Sequence, residues 1–341
     1  AQFLEYLESG ERDPEEIAFM EPQAGGACRA GNIYNLLQRV LYRMAEQGQT
    51  EYAQIPVISL NLMGEEKHTG FRITPGLLSG GIAAGCYGDL IMCLYQQVKP
   101  YEQNPGETDR IRSQVEKKLC ESIRRHRNGR HTREKNYRYA CEAFSKVPVK
   151  PGKKKRVGIT GEIYMKYSKL GNDDIESFLL RQGMEPYSGG FVNYCLYLVD
   201  TERYKAEKYQ HNPIMAKACA FVLHRLCEAQ KHLLTVIGET DRFQTDLPFP
   251  ELKEKVQGIL AEGCNTGDGW LIAAEVIQYV EKGCGSVLIL HPFGCLVSHV
   301  CERGILQRLH ARFPDVSIQT IEYDYDQSKT LRESRILLGI S

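Results

Sequence analysis

A short apolar run, a glycine-rich loop holding a cysteine, and then a stretch of helical periodicity occur twice in this 341-residue chain. That order constrains the fold more than any other feature. In the first instance Ile17-Ala-Phe-Met20 leads into Gly25-Gly26-Ala27-Cys28. Helical spacing follows from Gly31 to Glu46, with Ile33, Leu36, Leu37, Val40 and Leu41 on one stripe. In the second, Ser286-Val-Leu-Ile-Leu290 leads into Phe293-Gly294-Cys295 and a helix to about Phe313. A third cysteine, Cys264 in Gly263-Cys264-Asn265-Thr266-Gly267-Asp268-Gly269, stands just ahead of a helix predicted over 269–282. Strand, loop, helix and strand in succession form the unit of a parallel α/β sheet, and such sheets bind ligands at the loops that follow their strands.

The chemistry of the three loops follows from helix physics. A helix start presents free N–H groups and a partial positive charge. Both favour a thiolate, the form of cysteine that binds metal. Glycines let the backbone approach a bulky inorganic group. Cys28, Cys264 and Cys295 brought together suit an iron–sulfur cluster with one iron left open. Zinc is an alternative, through Cys295 and His299 one helical turn apart together with the other two cysteines. The chain has no CxxC pair. The plainer reading, small residues in tight loops, is about as strong as the metal reading on these residues alone.

The rest of the chain reads as α/β with long helices. Strands are predicted at 55–60, 156–161, 286–290 and 316–321. Helices are predicted at 75–98, 108–143, 173–182 (with Asn172 as cap), 191–238, 251–261 and 328–338. Gly80, Gly81 and Gly85 lie in the apolar 75–98 helix without the Lys-Ser/Thr of a phosphate loop, so they read as close helix packing. The basic run Arg124–His131 has no interleaved aromatics and reads as a solvated helix end. Val147 to Arg156, rich in Pro, Gly and Lys, reads as a linker between domains at 1–148 and 149–341. Cys86 and Cys93, and Cys219 and Cys227, share helix faces and read as core; Cys301, inside the helix after Cys295, reads as packing.

Lysine and arginine balance aspartate and glutamate at 43 each, so no global charge points to nucleic acid or an anionic membrane. No apolar run reaches the ~18 residues of a spanning segment. Twelve cysteines without a signal-type start favour a reducing, cytoplasmic setting over a disulfide scaffold.

Several stretches, in order, resemble the 2-hydroxyacyl-CoA dehydratase-like proteins and the large activase-related proteins akin to them. Gln23-Ala-Gly-Gly-Ala-Cys28-Arg-Ala-Gly-Asn32 is similar to the family's GGGCRASN-type loop, and Ile55 to Leu62 to the strand after it. Lys99-Pro-Tyr-Glu102 with Gly106-Glu-Thr-Asp109 resembles RPYE…GETD. Val157 to Tyr164 with Lys166-Tyr-Ser168 and Gly171-Asn172 resembles VGIVGEIYVKYSPLGNN. Gly263-Cys264 to Glu275 is similar to GCKMGEGWLLTAE, Pro292-Phe-Gly-Cys295-Leu with His299 to PFGCLPNH, and Tyr323-Asp324 to a late YD. The likeness runs from about residue 16 to 338. Two departures are Val297-Ser298 for the family's Pro-Asn and the absence of a cysteine before Cys28.

The resemblance implies two flavodoxin-like (Rossmann-like) parallel-sheet domains with additional long helices, around a cluster held by Cys28, Cys264 and Cys295. That cluster is expected to be [4Fe-4S], with a double cubane as the alternative. It implies a partner activase, an iron–sulfur ATPase that delivers one low-potential electron. In the dehydratases this electron reduces a 2-hydroxyacyl-CoA thioester carbonyl to a ketyl, from which water is eliminated. Double-cubane relatives reduce small molecules instead, and a non-catalytic electron-relay module of a larger protein is a third expectation. Glu162, Tyr164, Glu275 and His299 are the candidate proton-handling residues, with Asp268 nearby. A homodimer or pseudo-symmetric heterodimer is expected, with neither nucleic acid nor membrane as partner.

Overall fold

The computed structural model describes residues 2–22, 29–60, 74–324 and 326–340. Cys28 and the end of the 55–62 stretch lie outside them. The chain is mixed α/β with two small parallel sheets, and it divides into compact units at 1–73 and 74–341.

In the first unit, β1 (Phe19–Pro22) pairs in parallel with β2 (Val57–Leu60), Phe19 opposite Val57. The helix Ile33–Glu46 connects them, as the apolar stripe requires. Leu7, Leu41, Tyr52, Ile55 and Val57 form the core.

The second unit holds four parallel strands: β3 (Arg156–Gly161), β4 (Glu185–Tyr187), β5 (Ser286–Pro292) and β6 (Ser317–Tyr323). Their spatial order is β4-β3-β5-β6. The central strands β3 and β5 are buried along almost their whole length; β5 accordingly carries the apolar run Val287–Leu290, while β3 includes the buried Thr160. Edge strand β4 was not expected; it is three residues long and contains Pro186, which an edge strand tolerates. The helix Gly269–Glu281 packs on the sheet so closely that a methyl group on Gly158 of β3 would meet Tyr279 at 2.7 Å.

The predicted helices at 75–98, 269–282 and 328–338 form within two residues of their expected ends. Thr74 caps the first, its hydroxyl accepting from the Leu77 N–H at 3.1 Å with Pro75 behind it. The stretches 108–143 and 191–238 each divide into two helices, Glu107–Arg124 with Arg130–Ser145 and Phe191–Lys208 with Pro213–Gly238. Asn172 accepts from the Ile175 N–H at 3.3 Å, although it stands two residues before Asp174, which holds the cap position of Ile175–Arg181.

The expected domain boundary at 148/149 falls instead at 73/74. Leu90, Leu94, Tyr137 and Phe144, from helices assigned to the N-terminal half, share one core with Trp270, Tyr279 and Val287. Val147 is buried, its carbonyl accepts from Arg242, and Val149 bridges to Glu102. The Pro-, Gly- and Lys-rich stretch is therefore a surface loop within the second unit.

Among the described residues one helical stretch, Gly76–Tyr101, is long and apolar enough to cross a membrane, contrary to the expectation from sequence. It buries Ala83, Cys86, Leu90, Leu94 and Val98 in the protein core, while Leu77 and Leu78 at its start are exposed.

Candidate functional site

The chain enters the second sheet at β3, moves outward to β4, then crosses back to β5 on the other side of β3. The carboxyl ends of β3 and β5 therefore flank a topological switch point, the place where open parallel sheets bind ligands. The loop after β3 supplies Glu162 and that after β5 supplies Cys295. They are held close by the backbone. Gly161 sits at φ +129°, and a Cβ there would lie 2.0 Å from the Leu290 carbonyl oxygen. Without that Cβ the Glu162 N–H donates to the same oxygen at 2.8 Å.

Cys295 stands where the sequence placed it, at a helix start. Its N–H donates to Pro292 O at 3.2 Å, and its sulfur accepts from the Ser298 N–H. The expected depression of its pKa does not follow. Burial raises it, and the Glu162 and Asp268 carboxylates facing it add to the rise against the Ser298 donors. Cys264 lies in the turn ahead of Gly269–Glu281, its carbonyl accepting from Trp270 N–H at 2.9 Å. Gly269 is required there: at φ +30°, a Cβ would sit 2.2 Å from Cys264 O. Both cysteines lie near enough to Cys301 for their charges to raise its pKa, beyond the effect of its own burial. Cys301, read from sequence as packing, is thus a third thiol in this neighbourhood.

Behind the cysteines is a buried ionic group. Lys166 Nζ lies 2.8 and 2.9 Å from the two carboxylate oxygens of Glu275, and Thr160 donates to Glu275 Oε2 at 2.5 Å. Lys166 and Glu275 side chains are each 3% exposed. Asp268 accepts from the Ile163 N–H, and its pKa is pushed well up by burial and by the charges of Glu162 and Glu275. Glu162 caps Ile163–Tyr167, accepting from Met165 N–H at 3.0 Å, and is also raised by burial.

Buried side-chain atoms without hydrogen-bond partners gather around the two cysteines. They include Asn265 Nδ2 beside Cys264, Tyr197 OH, His291 Nε2, Ser298 Oγ and both Glu302 carboxylate oxygens. Such orphans are costly, and at a native site they call for water, an ion or a ligand. The turn Ser298–Glu302 is a π-helix, a form often found at functional positions. Lys166 also lines an open cleft of about 240 Å³ with Tyr95, Gln96, Arg112, Tyr167 and Glu176.

Of the expected site residues, the structure brings together Cys264, Cys295, Glu162 and Glu275 with Asp268. Tyr164 is half exposed and faces Gly171. His299 lies on the Glu322 side, 3.7 Å from its carboxylate. Cys28 is outside the described residues. Among the described residues no three His, Cys, Asp or Glu side chains come close enough together to hold a metal ion. Lys166, Ser298, His291 and Glu302 were not singled out from sequence. Lys166 and His291 fall within or next to motifs that drew notice for other residues; Glu302 carries no sequence signal.

Comparison with protein-family models, with curated proteins and with solved structures returned no match.

Proposed function

We propose that this chain is the iron–sulfur component of a 2-hydroxyacyl-CoA dehydratase-like system, accepting a low-potential electron from an ATP-dependent activase. The observation that carries the reading is the convergence of Cys264 and Cys295, from separate loops, at the switch point between β3 and β5. The strand order, second-first-third-fourth in chain order, supports a flavodoxin-like domain. Cys28 is the third thiolate that the resemblance implies.

What supports an iron–sulfur group is a pair of soft thiols, Cys264 and Cys295, on loops whose glycines clear the backbone. These two would hold it. When bound it supplies one electron and an open iron able to polarise a thioester carbonyl. The other residues manage charge and protons. Lys166 pairs with the buried Glu275. Burial, and then the charges of Glu162 and Glu275, push the Asp268 pKa up and favour its acid form. Asp268 faces Cys295 and is placed to give a proton at the site. The second reading is a small-molecule reductase.

The reading is tested by anaerobic reconstitution with ferrous iron and sulfide, chemical reduction, and electron paramagnetic resonance with and without a 2-hydroxyacyl-CoA. A cluster signal that changes with the thioester supports the dehydratase reading. A signal indifferent to thioesters supports the reductase, and no signal rejects both.

A further inference from the structure

Next to Ser298 of the Cys295 loop lies a polar group to which the proposed function gives no proton-handling role. His291, the next-to-last residue of β5, and Glu302, the last of the π-turn, are both 0% exposed. His291 Nε2 faces Glu302 Oε1 at 3.9 Å, and His291 Nδ1 faces Glu322 Oε2 of β6 at 3.8 Å. Glu322 reaches solvent, its side chain being 21% exposed. Ser298, also fully buried, lies between Glu302 and the sulfur of Cys295. His291 Nε2, Ser298 Oγ and both Glu302 oxygens make no hydrogen bond of normal geometry, with Ser298 facing Glu302 and the Cys295 sulfur at longer range. Such a group of buried polar atoms calls for an explanation.

We propose that His291 and Glu302 form a buried proton relay that connects the surface carboxylate Glu322 with the interior at Ser298. The geometry is that of a wire with an imidazole in its middle. One ring nitrogen faces the surface acid and the other faces the buried one, and imidazole takes a proton at one nitrogen while releasing it at the other. Outward transfer from the resting acid runs in balanced steps. The Glu302 proton passes to His291 Nε2. The Nδ1 proton, which faces the Pro292 carbonyl at 3.4 Å, passes to Glu322 or to solvent, leaving neutral imidazole and a Glu302 carboxylate that the reverse sequence reprotonates. The 3.9 Å and 3.8 Å separations exceed hydrogen bonds, so each step requires a side-chain rotation or one intervening water.

The charged surroundings agree. Glu302 faces Ser298 from its own turn and Arg303 next to it; its acid form is favoured, the pKa standing at about 8 through burial. His291 faces Glu322, Arg303 and His299, and burial lowers its pKa, so the imidazole rests neutral and ready to accept. The use of the relay in turnover rests on the function proposed above. Its existence does not.

The test uses infrared spectroscopy of the purified full chain, whatever its iron content. In the wild-type minus Glu302→Gln difference spectrum, which cancels other buried acids such as Asp268 and Asp89, a protonated carboxylic C=O band should be present at neutral pH and vanish with a midpoint near 8. On transfer to D2O the band should shift as the acid proton exchanges. His291→Phe and, at the surface, Glu322→Gln should each slow that exchange tenfold or more, with circular dichroism confirming the fold. Absence of the band from the difference spectrum, or an exchange rate unchanged in both variants, overturns the relay. Iron analysis reads the cluster separately, so neither failure can be mistaken for the other.

Discussion

Replacing Lys166 by Met removes the one side chain that, among the described residues, ion-pairs with Glu275, while keeping the apolar stem. Glu275 would be left 2% exposed, retaining one hydrogen bond from Thr160, with Glu162 and Asp268 close by. Breaking a buried pair from one side costs about 3–5 kcal/mol, because the remaining charge keeps its desolvation penalty. For a unit of this size that corresponds to a fall in Tm of roughly 5–9 °C. The chain contains one tryptophan, Trp270, which is 1% exposed and lies on the same helix as Glu275. Its fluorescence during urea unfolding therefore reports on the element that the substitution strains. The double variant Lys166→Met/Glu275→Gln leaves no stranded charge and should recover about 2 kcal/mol or more of the loss. A single-variant loss below about 1 kcal/mol, or a double variant no more stable than the single, would refute the claim that a desolvated ion pair organises the site.

Gly161→Ala should prevent accumulation of folded protein or lower its stability by several kcal/mol, since its Cβ would overlap the Leu290 carbonyl at a positive φ; thermal unfolding of the soluble fraction checks this. Glu302 makes stability depend on pH in a defined direction. Its folded pKa of about 8 lies above the unfolded value of ~4.3, so the folded chain holds an extra proton between them. The associated stability is complete below the unfolded pKa and declines as pH rises toward 8, by at most about 1.4 kcal/mol per unit. Glu302→Gln should lack that decline, as urea midpoints across this range would show. Cys301→Ser should leave iron content unchanged and cost about 1–2 kcal/mol for burying a hydroxyl; loss of iron would make Cys301 more than packing.

Much of the fold was legible because its signals are local. Apolar runs such as Ser286–Leu290 and the capped stretch after Thr74 declare strand and helix without reference to the rest of the chain. β4 escaped because three residues around Pro186 carry no period. The domain boundary was misjudged for a different reason: Pro, Gly and Lys report a solvated loop, but whether the helices before it pack forward or backward is decided by Leu90, Tyr137 and their distant partners. The same division holds at the site. Cys264, Cys295 and Glu162 stand in glycine loops that are visible in sequence. The meeting of His291 with Glu302, or of Lys166 with Glu275, depends on strand order and on a π-turn that no spacing announces. The thiol of Cys295 shows the cost of reading a helix start alone, because burial by the surrounding fold raises its pKa first and the carboxylates that add to the rise come from two other loops.

The central claim is that Cys264 and Cys295 hold an iron–sulfur cluster. Its most direct test is iron and acid-labile sulfide analysis of anaerobically purified protein, as wild type, Cys264→Ala and Cys295→Ala. The account predicts roughly four irons and four sulfides per chain, or about eight for a double cubane, lost in either variant. Wild-type protein without iron, or variants that retain all of it, would contradict the account.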